Sequence, residues 1–137
     1  MTILVTDQGF AKDHWTDGFV ALGAANDADA LDVPSDADPA DIKLCDGLKI
    51  VRVDFPSSAD GRGFTIARAL RLRGFKGRLR AKGHILADQY AMARRSGFDE
   101  VEIDDDLAAR QPQDQWLFRA NWRDHDYQNR LRGRASA

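Results

Sequence analysis

The fold is decided by residues 48–83, which read LKIVRVDFPSSADGRGFTIARALRLRGFKGRLRAKG. The opening run, residues 48–54, is rich in Val and Ile and predicts a β-strand that the Phe55-Pro56 pair closes. A helix is predicted from about residue 61 to residue 73, and a second strand over residues 77–82. A strand, a helix and a strand of these lengths predict a parallel pair joined by a right-handed crossover.

The same alternation continues on both sides of this stretch. Residues 30–33 predict a short strand and residues 39–45 a short helix, while residues 85–96 predict a helix and residues 99–103 the last strand. The two long helices are expected to end alike, because arginines fill each last turn and a Gly-Phe pair follows. The glycine takes the left-handed conformation, and the Phe packs back onto the helix.

Charged and apolar residues alternate along each predicted strand. Val51 and Val53 alternate with Arg52 and Asp54, and this period of two gives the sheet one apolar and one charged face. Strands covered on both faces are almost continuously apolar, so we expect helices chiefly on one face, as in half of a (β/α)-barrel. The charged face is expected to be a ligand-lined concavity, a subunit interface, a surface covered by the terminal segments, or a solvated face. Charge neutralisation across strands is expected within two sets: Arg52, Arg80 and Glu102, and Asp54, Lys82 and Asp104.

The whole chain, residues 1–137, is predicted to form one α/β domain with about four mainly parallel strands and a core over residues 30–104. Residues 2–6 and 18–22 are predicted to pair as an N-terminal hairpin around Trp15. A C-terminal helix is predicted over residues 114–131, with aromatic side chains expected to pack rather than to bind a ligand: Trp116, Phe118, Trp122 and Tyr127.

The composition predicts a soluble, cytoplasmic protein. The single cysteine, Cys45, has no partner for an internal disulfide, which fits a reducing compartment. The N-terminus has no basic region before an apolar run, and no apolar stretch reaches the ~18 residues that a membrane span needs. We therefore expect no signal peptide, no membrane contact and no nucleic-acid partner.

The formal net charge of −2 conceals a basic middle segment. Residues 1–46 hold ten acids and two bases, and residues 98–137 hold nine acids and six bases. Between them, residues 47–97 hold three acids and twelve bases. This segment is expected either to attract anions or to fold against its acidic flanks.

A glycine-rich turn, Asp60-Gly61-Arg62-Gly63, joins the end of a predicted strand to the start of a predicted helix. Ligands of α/β folds bind at this edge, and the free amides of a first helical turn hold phosphate, sulfate or carboxylate groups. Gly61 and Gly63 allow close approach of an anion, and Arg62 is expected to add a bidentate contact. The alternative is structural, because Asp60 can cap the helix, repel an anion and occupy the same amides.

The second candidate site is Lys82-Gly83-His84-Ile85-Leu86-Ala87-Asp88-Gln89, again at a strand end. His84 and Asp88 are four residues apart, which places them on one face of a helix as an acid–base pair. The alternative is a capping His84 and an ion pair between Asp88 and an arginine. The histidines lack metal-ligand spacing, and no nucleotide-binding or thiol-catalyst motif is present, so neither a metal nor a cofactor is expected.

One combination of residues around these two motifs covers about half of the chain. It comprises Phe55-Pro56-Ser57, Asp60-Gly61-Arg62-Gly63-Phe64, Ala67-Arg68-Ala69-Leu70-Arg71, Gly77-Arg78-Leu79-Arg80-Ala81, Gly83, Asp88-Gln89 and Arg95-Ser96-Gly97-Phe98-Asp99. In this combination the chain resembles a family of uncharacterised bacterial proteins, the domain of unknown function 934. It departs from the family pattern at Ser58, where an aromatic residue is common, and at His84, where an acid is expected.

The resemblance implies an accessory role in assimilatory sulfite reduction. Members of the family are encoded beside the sulfite reductase hemoprotein and are often labelled probable oxidoreductases because of that association. The resemblance therefore implies the reductase as a partner, but it supplies no mechanism.

The leading hypothesis is an accessory protein that binds an oxyanion or the reductase through the strand edge and the charged face. Arg62 and Arg80 are then expected to contact the anion. Asp88 and Gln89 are expected to orient groups at the rim.

Two alternatives stay open. A small acid–base or oxidoreductase enzyme would use Asp60, His84 and Asp88 as its catalytic groups. A non-catalytic interaction module would dock on the reductase through its charged surface. A homo-oligomer is compatible with each of these hypotheses.

Overall fold

A computed structural model of the chain describes residues 2–12, 18–21, 29–42, 44, 47–57 and 59–120. The predictions made for some positions lie outside these residues: Trp15, Cys45, Ser58, Trp122, Tyr127 and the second half of the predicted C-terminal helix.

Seven strands of the described chain form one sheet. They are β1 (Thr2–Thr6), β2 (Gly9–Ala11), β3 (Val20–Ala21), β4 (Ala30–Val33), β5 (Ile50–Phe55), β6 (Arg78–Gly83) and β7 (Glu100–Asp104). The α-helices are α1 (Arg62–Leu72), α2 (Tyr90–Ser96), α3 (Asp105–Arg110) and α4 (Gln113–Phe118), and short 3₁₀ turns lie at Pro39–Asp41 and Ala87–Gln89.

The sheet order is β2-β1-β7-β6-β5-β4-β3, so the strands from β4 to β7 lie side by side in chain order. Each neighbouring pair among them is parallel. Right-handed crossovers that advance in one direction place α1 and α2 on the same face, where the two helices contact each other. The predicted α/β fold with mainly parallel strands is confirmed, although the sheet is wider than the four strands expected.

The predicted N-terminal hairpin is wrong in its pairing. β1 turns back through Asp7 and Gln8 onto β2, and its other edge pairs antiparallel with β7. Residues 20–21 instead form β3, which pairs parallel with β4 at the opposite edge of the sheet. The short hairpin costs less closure entropy than the long one, and the Thr6 hydroxyl stabilises its turn by accepting from the Gln8 N–H.

One face of the sheet holds the hydrophobic core. Phe64 and Leu86 are partly buried at the edge of this core. Burying one aliphatic side chain of this kind stabilises the fold by about 1.5–3 kcal/mol. The fully buried residues include Val51, Val53, Leu79, Ala81 and Val101 of the strands, Ala67 and Leu70 of α1, Tyr90 and Ala93 of α2, and Trp116 of α4.

The two long helices end at glycines, as predicted. Gly74 and Gly97 have φ angles of 95° and 117°, in the left-handed region that favours glycine. The phenylalanine that follows each glycine is buried. The Arg71 guanidinium in the last turn of α1 donates to three backbone carbonyls, those of Phe75, Gly77 and Gly97.

Helices differ from the prediction in three places. The short helix predicted over residues 39–45 is a 3₁₀ turn at Pro39–Asp41, which ends at Ile42 in an extended conformation. A 3₁₀ turn precedes α2, so the α-helix begins at Tyr90 rather than at residue 85. The predicted helix over residues 114–131 begins as α4, and an unpredicted helix, α3, precedes it. Pro112 separates these two helices, because proline lacks the N–H that would continue α3. Within the described ranges, no helix combines the length and the apolar character that crossing a membrane requires.

Candidate functional site

A row of ion pairs crosses the charged face of the sheet. We call it the charged row, and it consists of Asp32, Arg52, Arg78, Arg80, Glu100 and Glu102. Arg80 lies at its centre and is fully buried. Its Nε atom is 2.7 Å from Glu100 Oε2, and its Nη1 atom is 2.8 Å from Glu102 Oε1. Charge-assisted hydrogen bonds of this length are among the strongest in proteins.

Arg52 joins this row to strand β4. Its Nε and Nη2 atoms donate to the two carboxylate oxygens of Asp32 at 2.6 and 2.7 Å, and Nη1 donates to Glu102 at 3.2 Å. The guanidinium also packs on the face of the Phe19 ring, with its Cζ atom 3.8 Å from the ring centroid. Burial alone would lower the pKa of Arg52, but the hydrogen bonds and charges of Asp32 and Glu102 outweigh it and raise the pKa.

The charged row excludes a fully solvated face, which was one of the alternatives left open, because Arg80 has no exposed surface. It confirms the predicted neutralisation of Arg52 and Arg80 by Glu102. The second predicted set is wrong within the described residues, because Asp54 and Lys82 form no ion pair and Asp104 caps α3. The basic middle segment here folds against both acidic flanks, through Asp32 on one side and Glu100 on the other. The proposed contact between Arg80 and an anion finds no support in this geometry.

The glycine-rich turn is organised around an ion pair between Asp60 and Arg62. Asp60 Oδ1 accepts from the Arg62 backbone N–H at 3.1 Å and from Arg62 Nε at 3.0 Å, while Oδ2 accepts from Nη2 at 2.8 Å. The same Nη2 atom donates to the Ser35 hydroxyl at 3.2 Å. The Arg62 guanidinium and N–H hold the pKa of the Asp60 carboxyl well below its usual range. An anion at this turn would therefore compete with Asp60 both for the guanidinium and for a first-turn amide.

The two glycines of the turn differ in their surroundings. A Cβ atom added at Gly63 would lie 2.4 Å from Cζ of the Phe55 ring, whereas one at Gly61 would meet nothing closer than 4.0 Å. Gly63 therefore lets α1 pack closely on β5. Gly61 is the N-cap residue of α1, and no side chain forms a capping hydrogen bond there.

The structure separates the predicted acid–base residues. His84 lies before the 3₁₀ turn that contains Asp88, so the helical spacing on which the pair was predicted does not apply. Asp88 is exposed and pairs with Arg119 at 3.1 Å, which is the alternative foreseen for it. The Gln89 side chain accepts from the Leu86 N–H at 2.9 Å and caps the turn. A catalytic role for Asp60, His84 and Asp88 stays a prediction that these contacts do not support.

His84 instead faces a cleft at the carboxyl ends of β5, β6 and β7. This carboxyl-edge cleft has a volume of about 460 Å³ and is lined by Pro56, Ser57, His84, Leu86, Leu107, Arg110 and Gln111. Within the described residues, its lining contains no carboxylate. In the same part of the chain, neither the His84 ring nor the Arg110 guanidinium has a hydrogen-bond or ion-pair partner. The cleft therefore combines two uncompensated basic side chains with a hydroxyl and an amide.

Two backbone features place these side chains. Gly83 ends β6 with a φ of 122°, and a Cβ atom there would lie 2.4 Å from the Phe55 carbonyl oxygen, so only glycine fits. The His84 N–H donates to that same oxygen at 3.0 Å, which fixes His84 at the strand edge. On the other wall, the Asp104 side chain caps α3 by accepting from the Leu107 N–H at 2.8 Å. Because α3 starts directly after β7, Arg110 reaches the cleft from its last turn.

Comparison with known proteins adds one result. Residues 30–137 match a family described as Bacterial protein of unknown function (DUF934). The chain belongs to the DUF934 family. No curated protein and no solved structure matches it.

The DUF934 match spans every residue of the carboxyl-edge cleft, but the sequence motifs quoted for the family include only part of its lining. Pro56 and Ser57 belong to the family stretch quoted above and follow a strand directly, a signal that could have pointed to the cleft but was not used. Arg110 and Gln111 were not singled out in the sequence, because α3 is too short to show a helical period. Gln111 Oε1 accepts from the Ala87 N–H, so its side chain ties α3 to the turn before α2.

Metal-ligating side chains do not cluster in the described part of this DUF934 chain. Residues 2–12, 18–21, 29–42, 44, 47–57 and 59–120 contain no group of three or more His, Cys, Asp or Glu residues with a geometry that could hold a metal ion.

Proposed function

We propose that this protein is a cytoplasmic accessory protein of assimilatory sulfite reduction that binds a small oxyanion in the carboxyl-edge cleft. The proposal of anion binding rests on one observation. His84 and Arg110 line the same cleft, and the described lining of that cleft holds no carboxylate. The pathway part rests on the family resemblance, whose members are encoded beside the sulfite reductase hemoprotein.

The chemistry of the cleft suits an oxyanion such as sulfite or sulfate. Arg110 presents a planar fork of donors that matches two oxygens of one anion. The Ser57 hydroxyl and the Gln111 amide add neutral donors, and the imidazole of His84 offers a further N–H. The position also fits, because ligands of parallel α/β sheets bind outside the carboxyl ends of the strands.

The glycine-rich turn is a poorer anion site than the cleft. Arg62 is held bidentately by Asp60, and a second anion would have to displace that carboxylate. Arg110 has no such competitor among the described residues. We therefore assign the oxyanion to the cleft and a structural role to Asp60 and Arg62.

Isothermal titration of the full chain with sodium sulfite, sulfate and phosphate tests this assignment. Hydrogen bonds to charged groups contribute about 1.5–3 kcal/mol, so Arg110→Gln is expected to weaken binding by about tenfold or more. Arg62→Gln is the matched control, since it also removes an exposed arginine, and it is expected to leave the affinity unchanged. Absence of binding by the wild type would overturn the anion site, and a loss confined to Arg62→Gln would move it to the turn.

The pathway is tested separately, by deleting the gene and growing the strain on different sulfur sources. Growth on sulfide but not on sulfate or sulfite is expected if the protein acts at sulfite reduction. Normal growth on every source would contradict the pathway while leaving the titration result untouched.

A docking role on the reductase is the second candidate function. It is favoured by large apolar side chains on the surface, since Leu72 is 83% exposed and Phe118 is 73% exposed. Co-purification with the sulfite reductase hemoprotein, lost in a Leu72→Ser and Phe118→Ser double variant, is the expected result. Equal recovery with both chains would exclude these two side chains as docking contacts.

A further inference from the structure

A second cavity opens on the other side of the same strands. It has a volume of about 430 Å³, lies at the carboxyl ends of β4, β5 and β6, and opens on the charged face. Its lining consists of Ala21, Asp32, Val33, Pro34, Arg52, Asp54 and Lys82, so it shares no residue with the carboxyl-edge cleft. This volume falls within the range of about 300–1,000 Å³ that is typical of small-molecule sites.

Within the described part of the chain, two opposite charges in this cavity are unpaired. Asp54 and Lys82 are register partners on neighbouring strands and point to the face that carries the charged row. Across the described ranges, neither side chain makes an ion pair or a hydrogen bond. Two residues earlier on β5, the Arg52 side chain is bound bidentately by Asp32, its register partner on the other neighbouring strand, β4. The strands can thus hold tight ion pairs on this face, and the Asp54 and Lys82 positions depart from that pattern.

The unpaired charges define the ligand that would match the cavity. Arg52 is committed to Asp32 and Glu102, so among the described residues of the lining Lys82 is the free cation and Asp54 the free anion. A simple anion at Lys82 would meet the carboxylate of Asp54, and a simple cation at Asp54 would meet the ammonium of Lys82. A molecule that carries both an ammonium and a carboxylate avoids both repulsions.

We propose that this cavity binds a free α-amino acid with a small apolar side chain. The carboxylate of the ligand pairs with the Lys82 ammonium, and its ammonium group pairs with the Asp54 carboxylate. The ligand side chain lies against Ala21 and Pro34, which form the apolar part of the lining together with Val33. Binding is reversible and involves no covalent step.

Isothermal titration of the full chain with L-valine tests the proposal. Two analogues serve as probes of the two charges: 3-methylbutanoate lacks the amine, and isobutylamine lacks the carboxylate. L-valine is expected to bind, and each analogue is expected to bind about tenfold more weakly or worse, because each leaves one protein charge unmatched.

Variants locate the binding in this cavity. Lys82→Met and Asp54→Asn are each expected to weaken L-valine binding by about tenfold or more. Lys49→Met and Asp41→Asn remove comparable exposed charges elsewhere and are expected to leave it unchanged. Circular dichroism of each variant establishes that it is folded.

Three results would overturn the proposal. The first is that the wild type binds none of L-valine, L-alanine and L-methionine at millimolar concentration. The second is that 3-methylbutanoate binds as tightly as L-valine. The third is L-valine binding that survives either cavity substitution in a folded variant.

Discussion

Replacing Arg80 by methionine is expected to lower the free energy of unfolding by about 3 kcal/mol. The charged row contains three arginines and three carboxylates, so it is neutral as it stands. The substitution leaves one excess negative charge in a region where Glu100 and Glu102 are both buried. Breaking a buried ion pair by removing one partner costs about 3–5 kcal/mol. We place the cost at the lower end because each glutamate keeps a second arginine, Arg78 for Glu100 and Arg52 for Glu102.

Urea unfolding followed by far-UV circular dichroism measures this cost. For a chain of this size, with a slope of about 1.5 kcal/mol/M, the midpoint is expected to fall by about 2 M. Arg78→Met is the matched control. It removes another arginine from the same row, but the Arg78 side chain is 45% exposed, so a cost below about 1 kcal/mol is expected.

A compensating change tests whether charge balance is the cause. Adding Glu102→Gln to Arg80→Met restores neutrality, and we expect the double variant to be more stable than the sum of the two single losses implies, by about 1–2 kcal/mol. The reasoning would be refuted if Arg80→Met cost no more than Arg78→Met, or if the two single losses simply added.

Two further predictions concern packing and pH. Gly63→Ala is expected to cost about 1–3 kcal/mol, because its Cβ atom would lie 2.4 Å from the Phe55 ring, and Phe55→Leu is expected to recover part of that loss in thermal unfolding. Burial raises the pKa of the Tyr90 hydroxyl, and its bond to Asp7 raises it further, so the folded state holds the proton that the unfolded state releases near pH 10. The stabilisation from Tyr90 is therefore fully present below pH 10 and declines above it by about 1.4 kcal/mol per pH unit. Tyr90→Phe is expected to remove this slope in urea unfolding at pH 9 to 11, and an unchanged slope would contradict the assignment.

The sequence predicts the layout of the sheet well because that information is local. Alternation of Val51 and Val53 with Arg52 separates the two faces, and the Gly-Phe pairs mark the helix ends. Burial of the charged face could not be predicted in the same way. It depends on Phe19 and on ion pairs between residues that lie twenty to fifty positions apart.

For the candidate site too, local features could be predicted from the sequence and non-local ones could not. The competition between Asp60 and an anion for the first-turn amide was foreseeable, since both partners lie in one tetrapeptide. The place of Arg110 in the carboxyl-edge cleft could not be foreseen. Arg110 belongs to a helix of six residues, which has too few turns to show an apolar period in the sequence. The predicted N-terminal pairing was wrong for a related reason, because a two-residue turn and an eleven-residue connection leave similar strand patterns in the sequence.

Arg71 carries a consequence for the order in which the chain folds. Of the five hydrogen bonds that its guanidinium donates, three go to Gly97 and Asp99, which lie 26 and 28 residues later in the chain. The last turn of α1 therefore receives most of its anchoring from the loop that leads into β7. During synthesis, a nascent chain that has not yet reached residue 97 has an incompletely anchored end on α1. The end of α1 gains these three hydrogen bonds only after β6 and α2 have folded. The unit of β5 and α1 and the unit of β6 and α2 are therefore completed together.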